Sequence, residues 1–389
     1  MSFVVVIFLV AIALIGHGYI WIAPINRLHA WAGPRFIVDQ ATYLLLGAFL
    51  ILPLLVVWDV YRLQQPELYQ YWYASTLIAR YAQLCAIWGI GKIVFDLFDS
   101  RNVDAPKNLL QWRQRWVETA TNPAVYGFYT KLLAAIPGNQ ILRLTIDEKR
   151  LAVPALPKKL EGLKIAHVSD VHITGRIDQQ WFETVANEVN RLEADVIAIT
   201  GDLVENEDCW PWLATSLSKL KAKQGVYFIL GNHDYFIDVE HTRKILTEAG
   251  LTCLSGQWLD VQWNGTQVRL SGNERPWGND SLDETNPQQP AADLPFHLSL
   301  IHTPDQFNWA HANHANLVLA GHTHGGQIRL PILGAVACPS LHGTHFACGV
   351  FRKGNSLLHV SRGISGETPF RWNCPPEIAL LELTQATEA

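Results

Sequence analysis

Five short apolar runs, each followed at once by Asp, Asn or His, constrain the fold of this chain more than any other feature. The runs are Lys164–Val168, Val196–Thr200, Val226–Leu230, Leu298–Ile301 and Leu317–Ala320. Apolar runs of about four to eight residues, rich in Val and Ile, are typical of strands buried on both faces of a sheet. Open α/β sheets carry their chemistry just beyond the carboxyl ends of their strands. The pattern therefore predicts an α/β fold whose functional residues meet at one edge.

The residues after these runs supply ligands for two divalent metal ions. The candidate ligands are Asp170, His172, Asp202, Asn232, His302, His322 and His324. Two such cations about 3.5–4 Å apart repel each other, so an anionic ligand should bridge them. Asp202 is the candidate bridge; Asp170, His172 and His324 would complete one site. Asn232, His302 and His322 would complete the other. Mixed imidazole and carboxylate ligands favour Mn, with Fe or Zn as alternatives, over Ca.

His233 and Asp234 follow Asn232 directly and are the candidate catalytic residues. We expect His233 to meet the phosphate or leaving-group oxygen, with Asp234 orienting or charging its imidazole. Arg176 is a candidate substrate-binding residue because a guanidinium can clamp a second phosphate or a carboxylate; a surface role is the open alternative. Gln327 is the other candidate substrate-binding residue; it follows two glycines, which would let the backbone approach the site.

The order of these motifs resembles that of the calcineurin-like metallophosphoesterases. The motifs are Asp170-x-His172, Gly201-Asp202, Gly231-Asn232-His233-Asp234, His302 and Gly321-His322-Thr323-His324. The extension Gly325-Gly326-Gln327 resembles a bacterial, often membrane-attached subgroup that includes UDP-diacylglucosamine pyrophosphatases. The resemblance covers residues 160–383. It implies two packed mixed β-sheets flanked by helices, and hydrolysis of a phosphoester by metal-activated water.

The first hundred residues have a different character. The apolar runs Phe3–Ile22, Tyr43–Trp58 and Trp72–Phe98 approach the length of about 20 residues that spans a bilayer. Arg80 and Lys92 interrupt the third run, so a helix lying in the membrane interface is its open alternative. We expect a transmembrane module of about three helices at 1–99, a connector at 100–140 and a metallophosphoesterase domain at 141–389.

Basic residues gather after the first and third runs, which by the positive-inside rule predicts a multi-pass protein of the bacterial inner membrane. Its amino terminus would lie outside and its catalytic domain in the cytoplasm. Ile141–Ile146 and Leu151–Val153 predict a β-hairpin leading into that domain. The six cysteines show no C-x-x-C pairing, which favours reduced, structural thiols.

Charge and composition limit the kinds of partner that the protein can have. The net charge is −5, without a long Lys or Arg run, which argues against a nucleic-acid partner. The predicted function is a membrane-anchored dinuclear-metal phosphoesterase acting on a phosphodiester or pyrophosphate bond, on a lipid-linked substrate such as UDP-diacylglucosamine. Trp210 and Trp212 would then wall an acyl groove, unless they are core residues.

Two alternatives remain. The first is a tethered phosphodiesterase for soluble nucleotides or generic diesters. The second is a metal-dependent binding module, against which the complete ligand set and His233 argue.

Overall fold

The computed structural model describes residues 3–63, 72–103, 108–118, 123–278, 295–331 and 333–386. The chain divides into two compact units, Met1–Val103 and Asp104–Ala389.

The first unit contains three long helices, α1 (Phe3–His29), α2 (Arg35–Leu63) and α3 (Trp72–Val103). Helices α1 and α3 cross so closely that a Cβ on Gly16 would lie 1.7 Å from the Cys85 carbonyl oxygen. Among the described residues, one stretch, 35–55 in α2, is long and apolar enough to cross a bilayer, with a mean hydropathy of 1.7.

A polar node joins the three helices around His17. Pro53 lies inside α2 and has no backbone N–H, so it cannot pair with the carbonyl of Phe49 four residues earlier. His17 Nε2 lies 2.8 Å from that carbonyl oxygen and is its donor. The other ring nitrogen, Nδ1, lies 2.5 Å from the Tyr81 hydroxyl, which also accepts a bond of 2.8 Å from Trp21 Nε1. The node therefore satisfies both imidazole nitrogens and the carbonyl that Pro53 leaves unpaired.

The second unit is an α/β structure. Its strands are β1 Leu109–Trp116, β2 Thr145–Val153, β3 Lys164–Val168, β4 Val196–Thr200, β5 Val226–Ile229, β6 Thr252–Cys253, β7 Trp258–Trp263, β8 Thr266–Asn273, β9 Phe296–Ile301, β10 Leu317–Ala320, β11 Arg329–Leu330, β12 Gly334–Ala335, β13 Gly349–Lys353, β14 Ser356–Val360 and β15 Glu377–Gln385. Its α-helices are α4 Phe128–Ala134, α5 Gln179–Arg191, α6 Trp210–Thr215, α7 Val239–Glu248 and α8 Phe307–Ala312.

Two mixed sheets carry these strands except β11 and β12, which pair with each other. The seven-stranded sheet has the order β1-β2-β15-β3-β4-β5-β6, and the six-stranded sheet has the order β13-β14-β10-β9-β8-β7. Strands β3, β4 and β5 run parallel, as do β9 and β10, so their carboxyl ends meet at shared edges. The two mixed sheets with flanking helices confirm the predicted α/β fold.

Strand β4 shows why the runs are apolar throughout. Its alternate side chains Ile197 and Ile199 join a core that includes Trp181 of α5. Val196 and Ala198 point the other way, into a core shared with residues of β9 and β10. Because successive side chains of a strand face opposite sides, a strand covered on both faces needs apolar residues at every position.

The predicted hairpin around residues 147–150 is wrong. Strand β2 is continuous through them, and its antiparallel partner is β1, which lies within the predicted connector. Arg362 donates to Asp147 at 3.1 Å, and Lys149 donates to Glu377. Buried charges can remain inside a strand when partners from distant parts of the chain satisfy them. None of the six cysteines, all of which the structure describes, forms a disulfide bond.

Candidate metal centre

The structure gathers the predicted metal ligands into one buried cluster. Asp170 and His172 follow β3, Asp202 follows β4, Asn232 follows β5, His302 follows β9, and His322 and His324 follow β10. All seven are buried, and the most accessible, His324, exposes 8% of its surface.

Two groups within the cluster have the spacing of metal ligands, with ligand atoms within 4.8 Å of one another. The groups are Asp170, His172, Asp202 and His324, and Asp202, His302 and His322. Asn232 Oδ1 lies 3.0 Å from His302 Nε2 and so adjoins the second group. Asp202 belongs to both groups, which is the position that a bridging carboxylate requires.

The backbone at the cluster is strained. Left-handed conformations occur at Asp170 (φ 50°), His172 (47°), Asp202 (55°), His322 (68°) and His324 (51°). Such conformations are uncommon for residues other than glycine and persist where the surrounding structure fixes them, often at functional sites. A Cβ on Gly231 would lie 2.3 Å from Asp202 Oδ1, so only glycine lets this strand end approach the carboxylate.

The imidazoles of His172 and His324 in the first group face each other through their Nε2 atoms. His172 Nδ1 is hydrogen-bonded to Glu205, and His324 Nδ1 lies 3.1 Å from the Ser365 carbonyl oxygen. In neutral imidazoles the proton is therefore on Nδ1, because both partners are acceptors, and Nε2 carries a lone pair. The two Nε2 atoms lie 3.2 Å apart. Two facing lone pairs repel, and a cation bound to both relieves the repulsion.

In the second group, His302 Nδ1 lies 2.7 Å from the Thr200 carbonyl oxygen. Its Nε2 faces Asn232 Oδ1 at 3.0 Å and Asp202 Oδ2 at 3.3 Å. Three buried atoms of the cluster make no hydrogen bond: Asp170 Oδ2, Asp202 Oδ2 and His322 Nε2. Buried polar atoms normally have partners. The donor set of both groups therefore fits divalent cations.

The charges of the cluster favour an ionised Asp202. Burial opposes its charge, yet His302 and His233 hold the pKa of the Asp202 carboxyl well below its usual range. Burial raises the pKa of Asp170, and repulsion from Asp202 acts in the same direction. An anion held between two ligand groups is the charge that neighbouring cations need.

The carboxylate beside His233 is Glu205, whereas the sequence led us to expect Asp234. Glu205 Oε1 lies 3.2 Å from His233 Nδ1. The Asp234 carboxylate instead accepts backbone N–H groups of Leu203, Val204 and Gly231 at 2.8–3.1 Å. Asp234 therefore ties together the loops after β4 and β5. Glu205 stands three residues after Asp202, and that spacing on the same strand end was the only clue to it.

Arg176 and Gln327 take different positions. Arg176 is exposed, and its Nη1 donates to the Glu367 carbonyl oxygen. Gln327 has a φ of 51°. Its side chain lies beside Gly366, since a Cβ built there would be 2.6 Å from Gln327 Nε2 and 3.6 Å from His324 Nδ1. Gln327 thus lies near a proposed ligand, whereas Arg176 contacts a surface loop.

Trp210 and Trp212 are packing residues. Both pack against the hydrophobic core of the seven-stranded sheet, and Trp210 Nε1 donates to Thr242 Oγ1 at 3.0 Å. Of the two interpretations of the sequence, the core role fits these contacts.

Two residues near the centre carried no recognisable signal in the sequence. Arg371 is completely buried; it donates to the carbonyl oxygens of Arg362 at 2.7 Å and of Ser365. Ser365 in turn accepts from His324 Nδ1, so Arg371 supports a proposed ligand indirectly. The Trp277 ring packs on His322, with centroids 4.9 Å apart.

Known proteins are similar to this chain. Residues 163–326 match the calcineurin-like phosphoesterase family. Three similar proteins illustrate the range of relatives. An uncharacterized metallophosphoesterase, YkuE of Bacillus subtilis, is 28% identical over 59% of this chain and 81% of its own length. The phosphodiesterase YaeI of Escherichia coli is 28% identical over 57% of this chain and 82% of its own.

The third relative is the UDP-2,3-diacylglucosamine pyrophosphatase LpxG of Chlamydia trachomatis, 26% identical over 58% of this chain and 86% of its own length. The family match covers strands β3 to β10 with the ligands after them. Residues 163–326 of the chain therefore form a hydrolase domain of the calcineurin-like phosphoesterase family, and similar proteins are named as metallophosphoesterases.

Proposed function

We propose that the protein is a membrane-anchored, dinuclear-metal phosphoesterase that hydrolyses a phosphodiester or pyrophosphate bond of a lipid-linked substrate, such as UDP-diacylglucosamine. One observation carries the catalytic part: the Nε2 atoms of His172 and His324 lie 3.2 Å apart in the buried cluster, beside a carboxylate that both ligand groups share. Such an arrangement is stable when cations occupy it.

The proposed ligands divide as the geometry groups them. Asp170, His172 and His324 would hold one cation, with Asp202 shared. Asn232, His302 and His322 would hold the other. The imidazole-rich set favours Mn, Fe or Zn over Ca. When bound, two cations would polarise a phosphoryl group and lower the pKa of a water molecule, so that it can attack near neutral pH.

The chain's own residues then orient the reaction. His233 exposes 15% of its side chain, so its ring can reach a substrate. In its imidazolium form, with Nδ1–H facing Glu205, His233 would present Nε2–H to a phosphate or leaving-group oxygen. Glu205 also accepts from His172 Nδ1, so one carboxylate would set both a metal ligand and the proton donor. Asp234 would hold the loop that carries His233.

The lipid part of the proposal has separate support. One relative is named as a UDP-2,3-diacylglucosamine pyrophosphatase, and residues 35–55 are long and apolar enough to cross a bilayer. We place helices α1 to α3 in the inner membrane and the catalytic unit in the cytoplasm, following the distribution of basic residues. A catalytic unit held at a membrane can take a lipid-linked substrate without releasing it into water.

The alternative function is a tethered phosphodiesterase for soluble substrates. The relative YaeI, named as a phosphodiesterase, supports it. The two functions differ in whether an acyl chain contributes to recognition.

The test is a side-by-side hydrolysis assay of the full-length protein with Mn²⁺ in detergent micelles. The substrates are UDP-diacylglucosamine, a soluble nucleotide pyrophosphate and an aryl phosphodiester. Asp202→Ala is the inactive variant; Asp260→Ala is its control, because Asp260 pairs with Arg269 away from the cluster. We expect turnover of the lipid at least about 10-fold above the others, lost only in Asp202→Ala. Equal turnover of all three would favour the soluble alternative, and activity in Asp202→Ala would refute the metal centre.

A further inference from the structure

Helix α4 (Phe128–Ala134) buries a polar side chain and exposes apolar ones. A surface helix of a globular protein normally buries its apolar face. In α4 the buried residue is Thr130, whereas Phe128 exposes 85%, Tyr129 55% and Leu132 56% of their surfaces. Ile136, just after the helix, is also exposed. An apolar face that its own unit leaves uncovered in this way indicates a contact outside that unit.

This face continues toward the metal centre. Asn139 Nδ2 donates to the carbonyl oxygens of Leu133 at 2.9 Å and Pro369 at 3.0 Å, which ties the end of α4 to the segment before Trp372. A Cβ on Gly138 would lie 3.3 Å from Trp372 Nε1. Trp372 forms a β-bridge with Ile328.

Ile328 stands four residues after His324, so the apolar surface reaches the edge of the proposed metal site. We call this surface the apolar rim. Its exposed members are Phe128, Tyr129, Leu132, Ile136, Ile328, Leu330, Leu333 and Trp372.

The charges around the apolar rim are cationic. Residues 123–146 contain Lys131 and Arg143 and no acidic residue. Residues 324–341, which contain the β11–β12 hairpin, have Arg329 and likewise no acid. Exposed acids nearby include Glu118 and Glu367. This local surplus of positive charge contrasts with the net charge of −5 of the whole chain.

We infer that the apolar rim docks on the surface of an anionic phospholipid bilayer. Aromatic and aliphatic side chains bordered by Lys and Arg are the composition that binds at the headgroup boundary of anionic membranes. A bilayer is favoured over a protein partner because the same chain carries an apolar stretch, residues 35–55, of bilayer-spanning length. The inference rests on the membrane anchoring of the proposed function, and it holds whether the hydrolysed phosphoester is lipid-linked or soluble.

Docking has a functional consequence for access to the metal centre. Because the apolar rim ends beside His324, contact with the bilayer brings the cluster to the level of the lipid headgroups. A phosphoester at that level could then reach the cluster without crossing bulk water.

Photo-crosslinking of the full-length protein tests the docking. Phe128 is replaced by p-benzoylphenylalanine, and the protein is reconstituted in vesicles of phosphatidylethanolamine and phosphatidylglycerol (about 3:1) and irradiated. The matched control has the same replacement at Lys244 of α7, whose side chain is 69% exposed. Mass spectrometry should find lipid adducts at position 128 at least about 10-fold more often than at 244, and fewer in vesicles of phosphatidylcholine alone. Equal yields at the two positions, or adducts to a second copy of the chain, would overturn the inference.

A second variant separates docking from catalysis. Leu132→Glu places a charge on the apolar rim outside the metal cluster, so turnover of a soluble aryl phosphodiester should stay within about 2-fold of the unmodified protein. Lipid adducts at position 128 should fall at least about 5-fold in this variant. Unchanged adduct yield would show that the rim does not insert, whatever substrate the enzyme prefers.

Discussion

Replacing Arg371 with Met should destabilise the catalytic unit, because this guanidinium joins the carboxyl-terminal segment to the metal-binding turn. Arg371 is completely buried and donates to carbonyl oxygens of Arg362 at 2.7 Å and of Ser365. Its contacts with the carbonyl oxygens of His324 and Cys374 are longer, 3.4 Å each. Methionine has a similar length and no donor, so Arg371→Met removes these bonds while retaining most of the packing.

The expected magnitude follows from the two shorter bonds. A hydrogen bond to a charged group contributes about 1.5–3 kcal/mol, so two contribute roughly 3–6 kcal/mol. Part of this is offset because burial of the charge is unfavourable, which is also why burial lowers the pKa of Arg371. We therefore expect Arg371→Met to lower the free energy of unfolding by about 2–4 kcal/mol.

Urea unfolding of the full-length protein in detergent micelles, with EDTA present, measures this loss without a contribution from bound metal. Arg352→Met is the control, because Arg352 also donates to a carbonyl oxygen, that of Gly354 at 2.8 Å, but at an exposed position. The control should change stability by less than about 1 kcal/mol. Equal losses in the two variants would refute the reasoning that the buried guanidinium holds the two segments together.

Three further predictions concern the site, pH and topology. Glu205→Gln should lower kcat roughly 10–100-fold, since Glu205 contacts both His172 and His233; a kcat within 2-fold of the unmodified enzyme would exclude a positioning role. Burial lowers the pKa of His297 from 6.5 to about 4. Above pH 6.5 the imidazole is neutral in both the folded and the unfolded chain, so it causes no loss of stability there. About 3 kcal/mol should be lost as the pH falls to 4, and His297→Gln should flatten this part of the stability–pH curve in EDTA. A reporter fused after Ala389 should be active in the cytoplasm, and activity confined to the periplasm would contradict the proposed orientation.

The sequence predicted the positions of the cluster better than the contacts inside it. Each strand end could be located from its own short run. Parallel pairing aligns the ends within each sheet, and packing of the two sheets against each other brings Asp202 beside His302, although 100 positions separate them. The partner of His233 could not be found in this way. Asp234 and Glu205 were both close in sequence to proposed ligands, and only the turn after β5 decides which carboxylate faces the ring.

The continuous strand β2 was missed for a related reason. A local window sees Asp147 and Lys149 as charges that should lie in a turn. Their partners, Arg362 and Glu377, stand more than 200 residues away, and no local pattern reveals that they will be satisfied. The same limit applies to Arg371, whose carbonyl partners exist only after the final segment has folded.

The node around His17 implies that certain residues should change together in evolution. Loss of Pro53 would restore an ordinary helical bond to the Phe49 carbonyl, and His17 would then have no acceptor to satisfy there. Loss of His17 alone would leave that carbonyl unpaired inside the helix bundle, which is costly where water is excluded. Homologues should therefore tend to keep or lose the histidine and the proline as a pair, although they lie on different helices and 36 positions apart.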